Sequence, residues 1–197
     1  MTEAIGPADI SYQRDRTLSP DALFDMELTA IAAVEAKYLA RPPTKRMAPF
    51  TVTWCQRVHS EMFGATRTDG GQFRNCELTI GIKQWWTIEA RLQELLDNLH
   101  YMKSENVPLE EQAARLHSGS VEIHPFRDGN GRWARTLTNI WIRQQKGQVL
   151  IWPSRDIHAD GPLANNVRDE YIRAVKAAEK GDLDPLIAFH RACQCKS

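Results

Sequence analysis

The chain has no apolar run near the length that crosses a bilayer, which excludes a helical membrane span. Met1 to Ser11 has no basic stretch followed by an apolar one, so export by a signal peptide is not expected. Charge of one sign is missing too. Lys and Arg number 25, Asp and Glu number 25, and the formal net charge is zero. A nucleic-acid binder usually carries a basic excess, and Lys45-Arg46 is too small a patch to replace it. Direct nucleic-acid binding is therefore not expected. Cysteine is scarce, and Cys55, Cys76, Cys193 and Cys195 form no convincing disulfide framework. A reducing cytoplasm is the expected compartment. There is no internal repeat and no low-complexity segment. What remains is globular composition, with 42% hydrophobic and 25% charged residues over 197 positions, enough for one buried core.

Apolar periodicity predicts mostly helix. Ser19-Pro20 is a start signal, because serine caps and proline fits the first helical position. The helix should run to about Ala40, where Arg41-Pro42-Pro43 stops it. Further helices are expected over about 51–62, 87–103, 108–122, 130–145, 163–179 and 183–193. Gln72 to Ile82 mixes apolar and polar residues partly at period two, which predicts a short hairpin or extended flap. Asp160-Gly161-Pro162 marks a turn. The fold class is mainly α with a short β-hairpin flap. Three regions are expected: an arm and helix over 1–50, a main domain over 51–190 and a tail over 191–197.

One stretch reads as a site: His124-Pro125-Phe126-Arg127-Asp128-Gly129-Asn130-Gly131-Arg132-Trp133-Ala134-Arg135. Gly129-Asn130-Gly131 can turn successive backbone N–H groups toward an anion. A helix starting at once would add its own free N–H groups and dipole. Arg132 and Arg135, three apart, can share the first turn and offer bidentate donors to phosphate. Asp128 repels phosphate unless Mg²⁺ lies between them. His124 has a near-neutral ordinary pKa and can take a proton from a hydroxyl. Phe126 should anchor the loop in the core. The same residues also suit a structural turn with two surface arginines, and composition alone does not choose between the readings.

His124 to Arg135 resembles the signature of the Fic family, in the broader Fic/Doc superfamily: His-any-Phe-any-Asp/Glu-Gly-Asn-Gly-Arg, two free positions, then Arg. Every specified position is present. The likeness extends from about Thr51 to His190, and the whole chain is similar to small bacterial Fic proteins called mobile mystery protein B. The resemblance implies a Fic-type helical domain and transfer of AMP from Mg²⁺-ATP to a Ser, Thr or Tyr hydroxyl of a target protein. It makes His124 the general base and Asp128 the Mg²⁺ ligand. Gly129, Asn130 and Gly131 become the anion cradle, with Asn130 contributing its side chain. Arg132 would serve the β-phosphate and Arg135 the γ-phosphate.

The resemblance also implies a target-docking flap, here Gln72, Phe73, Arg74 and Leu78, Thr79, Ile80, that pairs edge-on with a target segment. Many Fic proteins are restrained by a glutamate that pairs with the last signature arginine. The nearest match is Glu35, although the Ser/Thr and Gly/Asn positions flanking it differ. Alternatives within the superfamily are Doc-like protein phosphorylation, removal of AMP and a catalytically silent nucleotide-binding interaction protein. An antitoxin or neighbouring-gene partner and a homo-oligomer are further expectations.

Overall fold

The computed structural model describes residues 12–153 and 162–194, with backbone alone for 162–165. The start of the arm (1–11), Asp160 and Gly161 of the expected turn, and the last three tail residues lie outside the described residues. Seven α-helices are present among the described residues: α1 Pro20–Leu39, α2 Val52–Phe63, α3 Ile88–Ser104, α4 Leu109–Ile123, α5 Asn130–Gln144, α6 Pro162–Glu179 and α7 Asp184–Ala192. Their ends fall within about two residues of those read from periodicity and caps. Ser19 accepts from the Ala22 N–H at 3.2 Å, and Thr51 accepts from the Trp54 N–H at 3.3 Å. Each satisfies a first-turn donor that its helix cannot.

α5 is the centre. Every residue from Trp133 to Ile142 is buried, so the helix is covered on all sides. Trp133 and Trp141 are fully buried; Trp141 meets Phe50 edge-on with ring centroids 4.9 Å apart, and Phe50 meets Trp54 at 4.7 Å. Truncating one such aromatic typically costs about 3–5 kcal/mol. This cluster draws from α1 through α5, so Val34 and Tyr38 of the N-terminal helix belong to the same core as the loop helix. A second apolar cluster joins α4, Ile142 and Leu150 to α6 and α7. Between the two, the Asn139 side chain clasps Leu150, accepting its N–H and donating to its carbonyl, each at 2.9 Å.

The expected hairpin does not form. Residues 72–82 contain no strand, and the one bridge among the described residues pairs Gln13 with Arg67. The reason is Arg74, a buried side chain that folds the segment around itself. Its guanidinium donates to the carbonyls of Cys76 at 2.7 Å, Ile82 at 2.6 Å, His124 at 2.7 Å and Ile123 at 3.4 Å. These bonds replace a strand ladder and tie the flap to the end of α4. Gly81 lets the flap come close: its φ is +97°, and a Cβ there would lie 2.4 Å from the His124 Cβ. Trp85 and Trp86 precede α3 and are largely exposed, with Trp86 at 66%.

Candidate functional site

The loop between α4 and α5 starts where α4 ends. His124 takes a left-handed conformation, φ +50° and ψ +61°, and Pro125 prevents the helix from continuing. Phe126 is buried, packs edge-on against Trp133 at 5.0 Å and stacks on His59 at 3.6 Å. Asn130 closes the loop. Its Oδ1 accepts the Phe126 N–H and its Nδ2 donates to the Phe126 carbonyl, both at 2.8 Å. These bonds hold the ring of backbone shut and use one of the two Nδ2 hydrogens.

The cradle itself is backbone. Gly129 precedes α5 with φ +77°, and no side chain caps the first turn. The opening N–H groups of a helix have no intrahelical acceptor and favour an anion. Gly129 also sits against the Phe63 ring, where a Cβ would approach to 2.6 Å. Gly131 lies close to the Arg135 head: its Cβ position would be 3.6 Å from Arg135 Nη1.

His124 is half-buried, and burial pushes its pKa down. Its Nδ1 lies 3.3 Å from the Val121 carbonyl. A carbonyl only accepts, so Nδ1 carries the hydrogen and Nε2 keeps a lone pair. The ring is thus neutral near pH 7 and equipped to take a proton.

Asp128 is held from three sides. One carboxylate oxygen accepts the Gly129 N–H at 2.6 Å, the other meets Arg67 at 3.3 Å, and the backbone carbonyl accepts from His59 Nε2 at 3.0 Å. His59 Nδ1 in turn accepts the Gly71 N–H at 2.9 Å, which assigns the ring hydrogen to Nε2. Burial lowers the His59 pKa to about 3, so this bridge is neutral. Arg67 also pairs with Asp69 through two bonds of 3.0 Å.

The two loop arginines differ. Arg132 Nη1 lies 2.5 Å from Glu27 Oε2, and its guanidinium sits over the Phe63 ring at 4.7 Å. Glu27 is a buried carboxylate on α1 whose other oxygen accepts the Thr66 hydroxyl at 3.2 Å. Arg135 is deeply buried, with its guanidinium carbon 5.9 Å from the Tyr171 ring centroid on α6. Glu35 does not reach either arginine. Among the described residues it makes no ion pair, and burial alone raises its pKa. The α1 carboxylate on the loop is Glu27, two helical turns earlier, and the arginine it takes is the first of the pair. The pairing expected of Glu35 with the last loop arginine is thus absent among the described residues.

The flap residues separate by exposure. Gln72, Thr79 and Ile80 are exposed, and Phe73 and Leu78 are half-buried. Arg74 is buried and holds the flap, so it offers nothing to a docking chain. Sequence reasoning passed over His59, Arg67 and Glu27 as site residues. Each lies on another element, with no local spacing to mark it. A hint was available only for Glu27, a charge among the apolar positions of α1.

Comparison with known proteins agrees with this geometry. The Fic/DOC family model matches residues 49–142. Protein adenylyltransferase fic-1 of Caenorhabditis briggsae is 28% identical over 137 residues, covering 67% of this chain and 25% of that protein. Protein adenylyltransferase Fic of Drosophila willistoni is 28% identical over 132 residues, covering 66% and 24%. The chain thus spans about a quarter of the length of these curated relatives. Among solved structures, Fic-1 (residues 134–508) from C. elegans superposes with a TM-score of 0.71 at 22% identity, covering 90% of this chain and 51% of that one. BepC from Bartonella tribocorum, solved with bound AMPPNP, gives 0.61 at 16% identity, covering 91% and 89%.

Proposed function

We propose, from the match of residues 49–142 to the Fic/DOC family model, that this chain transfers AMP from ATP to a Ser, Thr or Tyr hydroxyl of a target protein. The observation that carries the reading is the neutral His124, with a free Nε2 lone pair, beside an uncapped helix start that also bears Arg132 and Arg135. Nε2 takes the hydroxyl proton as the oxygen attacks the α-phosphorus. The new P–O bond forms while the bond to the bridging β-phosphate oxygen breaks, and pyrophosphate leaves with that electron pair. The cradle N–H groups and the arginines are fixed donors for the phosphate charge. The adenylyltransferase names of the relatives support the same reaction.

Asp128 is the one carboxylate in the loop, and no cluster of three or more metal-ligating side chains occurs among the described residues. That donor set fits Mg²⁺, which binds through one or two carboxylates plus phosphate oxygens and water. Mg²⁺ at Asp128 would neutralise phosphate charge; the Arg67 contact would have to loosen to admit it.

A target segment is proposed to dock along the exposed side of the flap, at Gln72, Thr79 and Ile80. Because Arg74 already uses the Cys76 and Ile82 carbonyls, edge pairing must use the remaining main-chain groups. The mobile mystery protein B likeness, a bacterial cytoplasmic setting, an antitoxin-like partner and self-association rest on the sequence resemblance alone. No described helix is long and apolar enough to cross a membrane.

Incubation of the protein and a cell lysate with α-labelled or γ-labelled ATP tests the reaction. Target labelling from the α-phosphate alone is expected, with loss of label in His124→Ala. Label from the γ-phosphate alone would mean kinase chemistry. Release of AMP from a modified protein would mean the reverse reaction, and nucleotide binding without either would mean a silent binding protein.

A further inference from the structure

Arg135 is a buried cation, and four helices are involved in holding it. Its guanidinium carbon lies 5.9 Å from the Tyr171 ring centroid, and the Tyr171 hydroxyl is one of its polar neighbours. That hydroxyl lies 3.0 Å from His117 Nε2 on α4, and His117 Nδ1 lies 2.9 Å from His190 Nε2 on α7. The two imidazoles are stacked 5.2 Å apart at 13°, with the Trp152 ring edge-on to both. His117 and His190 are almost completely buried. His190 Nδ1 has no partner.

The hydrogens in this chain can be counted. Arg135 is a cation with only donors, so it favours a Tyr171 hydroxyl turned oxygen-first toward it. The Tyr171 hydrogen then has one acceptor within reach, His117 Nε2. His117 must carry its hydrogen on Nδ1 and donate it to His190 Nε2, which leaves the His190 hydrogen on the orphan Nδ1. The opposite order also leaves His190 Nδ1 unpaired and strands the Tyr171 hydrogen as well. A second unsatisfied buried group costs about 1–3 kcal/mol, which decides for the first order.

We infer that Tyr171, His117 and His190 form a directional hydrogen-bond relay that positions Arg135 for the terminal phosphates of a bound nucleotide. The inference rests on the reading of Arg135 as a phosphate ligand. It gives α6 and α7 a task at the site, although both lie beyond the residues matched by the family model. Arginine is a flexible side chain with much rotamer freedom to lose on binding. A relay rooted in three other helices removes that freedom in advance, so less is lost when the phosphate arrives. Tyr171, His117 and His190 are positioning residues, since they act through Arg135.

The test compares affinities for a non-hydrolysable ATP analogue and for AMP, which lacks the terminal phosphates, in wild type, Arg135→Ala, Tyr171→Phe and the double variant. Phenylalanine keeps the ring contact with Phe189, 5.6 Å away. Tyr171→Phe should weaken the analogue on the order of tenfold and leave AMP within about twofold. It should add nothing in the Arg135→Ala background. Equal loss for both ligands would mean a merely structural role and would overturn the relay. If Arg135→Ala weakens the analogue selectively and Tyr171→Phe does not, the relay falls while Arg135 keeps its phosphate role. If Arg135→Ala has no selective effect, the phosphate reading of Arg135 falls and the inference falls with it. A second readout needs no nucleotide. Ring ¹⁵N spectra at pH 7 should show His117 and His190 neutral with hydrogen on Nδ1, and an Nε2–H tautomer at His117 would overturn the assigned direction.

Discussion

Replacing Glu27 with glutamine should loosen the fold and tighten the nucleotide site in the same protein. Glu27 and Arg132 have side chains only 12% and 16% exposed, and their pair is a single short contact of 2.5 Å. Removing one member of a fully buried pair costs about 3–5 kcal/mol. Glutamine keeps one oxygen for Arg132, and its NH2 can donate to the Thr66 hydroxyl oxygen, whose hydrogen has the Phe63 carbonyl as acceptor, so the expected loss is smaller, about 1–2 kcal/mol. For a chain of this size that lowers Tm by about 2–6 °C. The nucleotide sees the opposite sign. A phosphate that uses Arg132 must first displace a carboxylate or share the arginine with it, and either costs affinity. Relieving about 1–2 kcal/mol should lower the ATP Kd about five- to thirtyfold. Calorimetric titration with a non-hydrolysable ATP analogue reads the affinity, and thermal melting with and without that analogue reads both effects together. The variant should melt lower alone and gain more Tm on binding than wild type. A lower Tm with unchanged or weaker affinity would refute the reasoning and make Glu27 a support for Arg132. Glu35→Gly, measured alongside, should leave the analogue affinity unchanged, because Glu35 pairs with neither arginine.

Acid should destabilise the protein earlier than a typical domain. Burial lowers the pKa of His59 to about 3 and of His190 to about 4, and holds His117 well below its ordinary value of 6.5. The unfolded chain therefore binds more protons below pH 6.5. The stabilisation is complete above that pH and is lost as pH falls. Three such groups remove about 4 kcal/mol between pH 7.5 and 5.5, a large part of a typical total; urea midpoints that match at the two pH values would contradict this. Gly81→Ala should destabilise by about 1–3 kcal/mol and push the flap off His124, because its φ is +97° and the new Cβ meets the His124 Cβ. Its readouts are Tm and the rate of AMP transfer, and both should fall. Asn130→Ala removes both bonds that close the loop. It should cost about 2 kcal/mol, or roughly 5 °C in Tm, and lower nucleotide affinity without abolishing folding.

The helices were legible because their signals are local. Ser19-Pro20, Arg41-Pro42-Pro43 and the apolar spacing of α3 to α5 lie within a few turns of what they specify. The hairpin was not legible for a related reason. Period-two alternation between Phe73 and Ile82 normally reads as a strand, but Arg74 satisfies the carbonyls with its side chain, and alternation carries no information about that choice. Glu35 does not meet the loop arginines, because the motif spacing carries no information about the rotation of α1. The face of α1 that meets the loop carries Glu27, Val34 and Tyr38 among its buried positions, and the direction of that face is set by packing against α2 and α5.

The sequence by itself determined the helical class, the loop, and the set of groups that can handle phosphate, since all of these are written within twelve contiguous residues or at helical period. Tertiary structure decided how those groups are used. It placed His59 behind Phe126 and Asp128, Glu27 on Arg132, and the Tyr171–His117–His190 chain behind Arg135. Each of these partners lies far away in the chain, on a separate helix or loop. Their approach depends on packing, and it fixes which hydrogens, charges and lone pairs remain for a substrate.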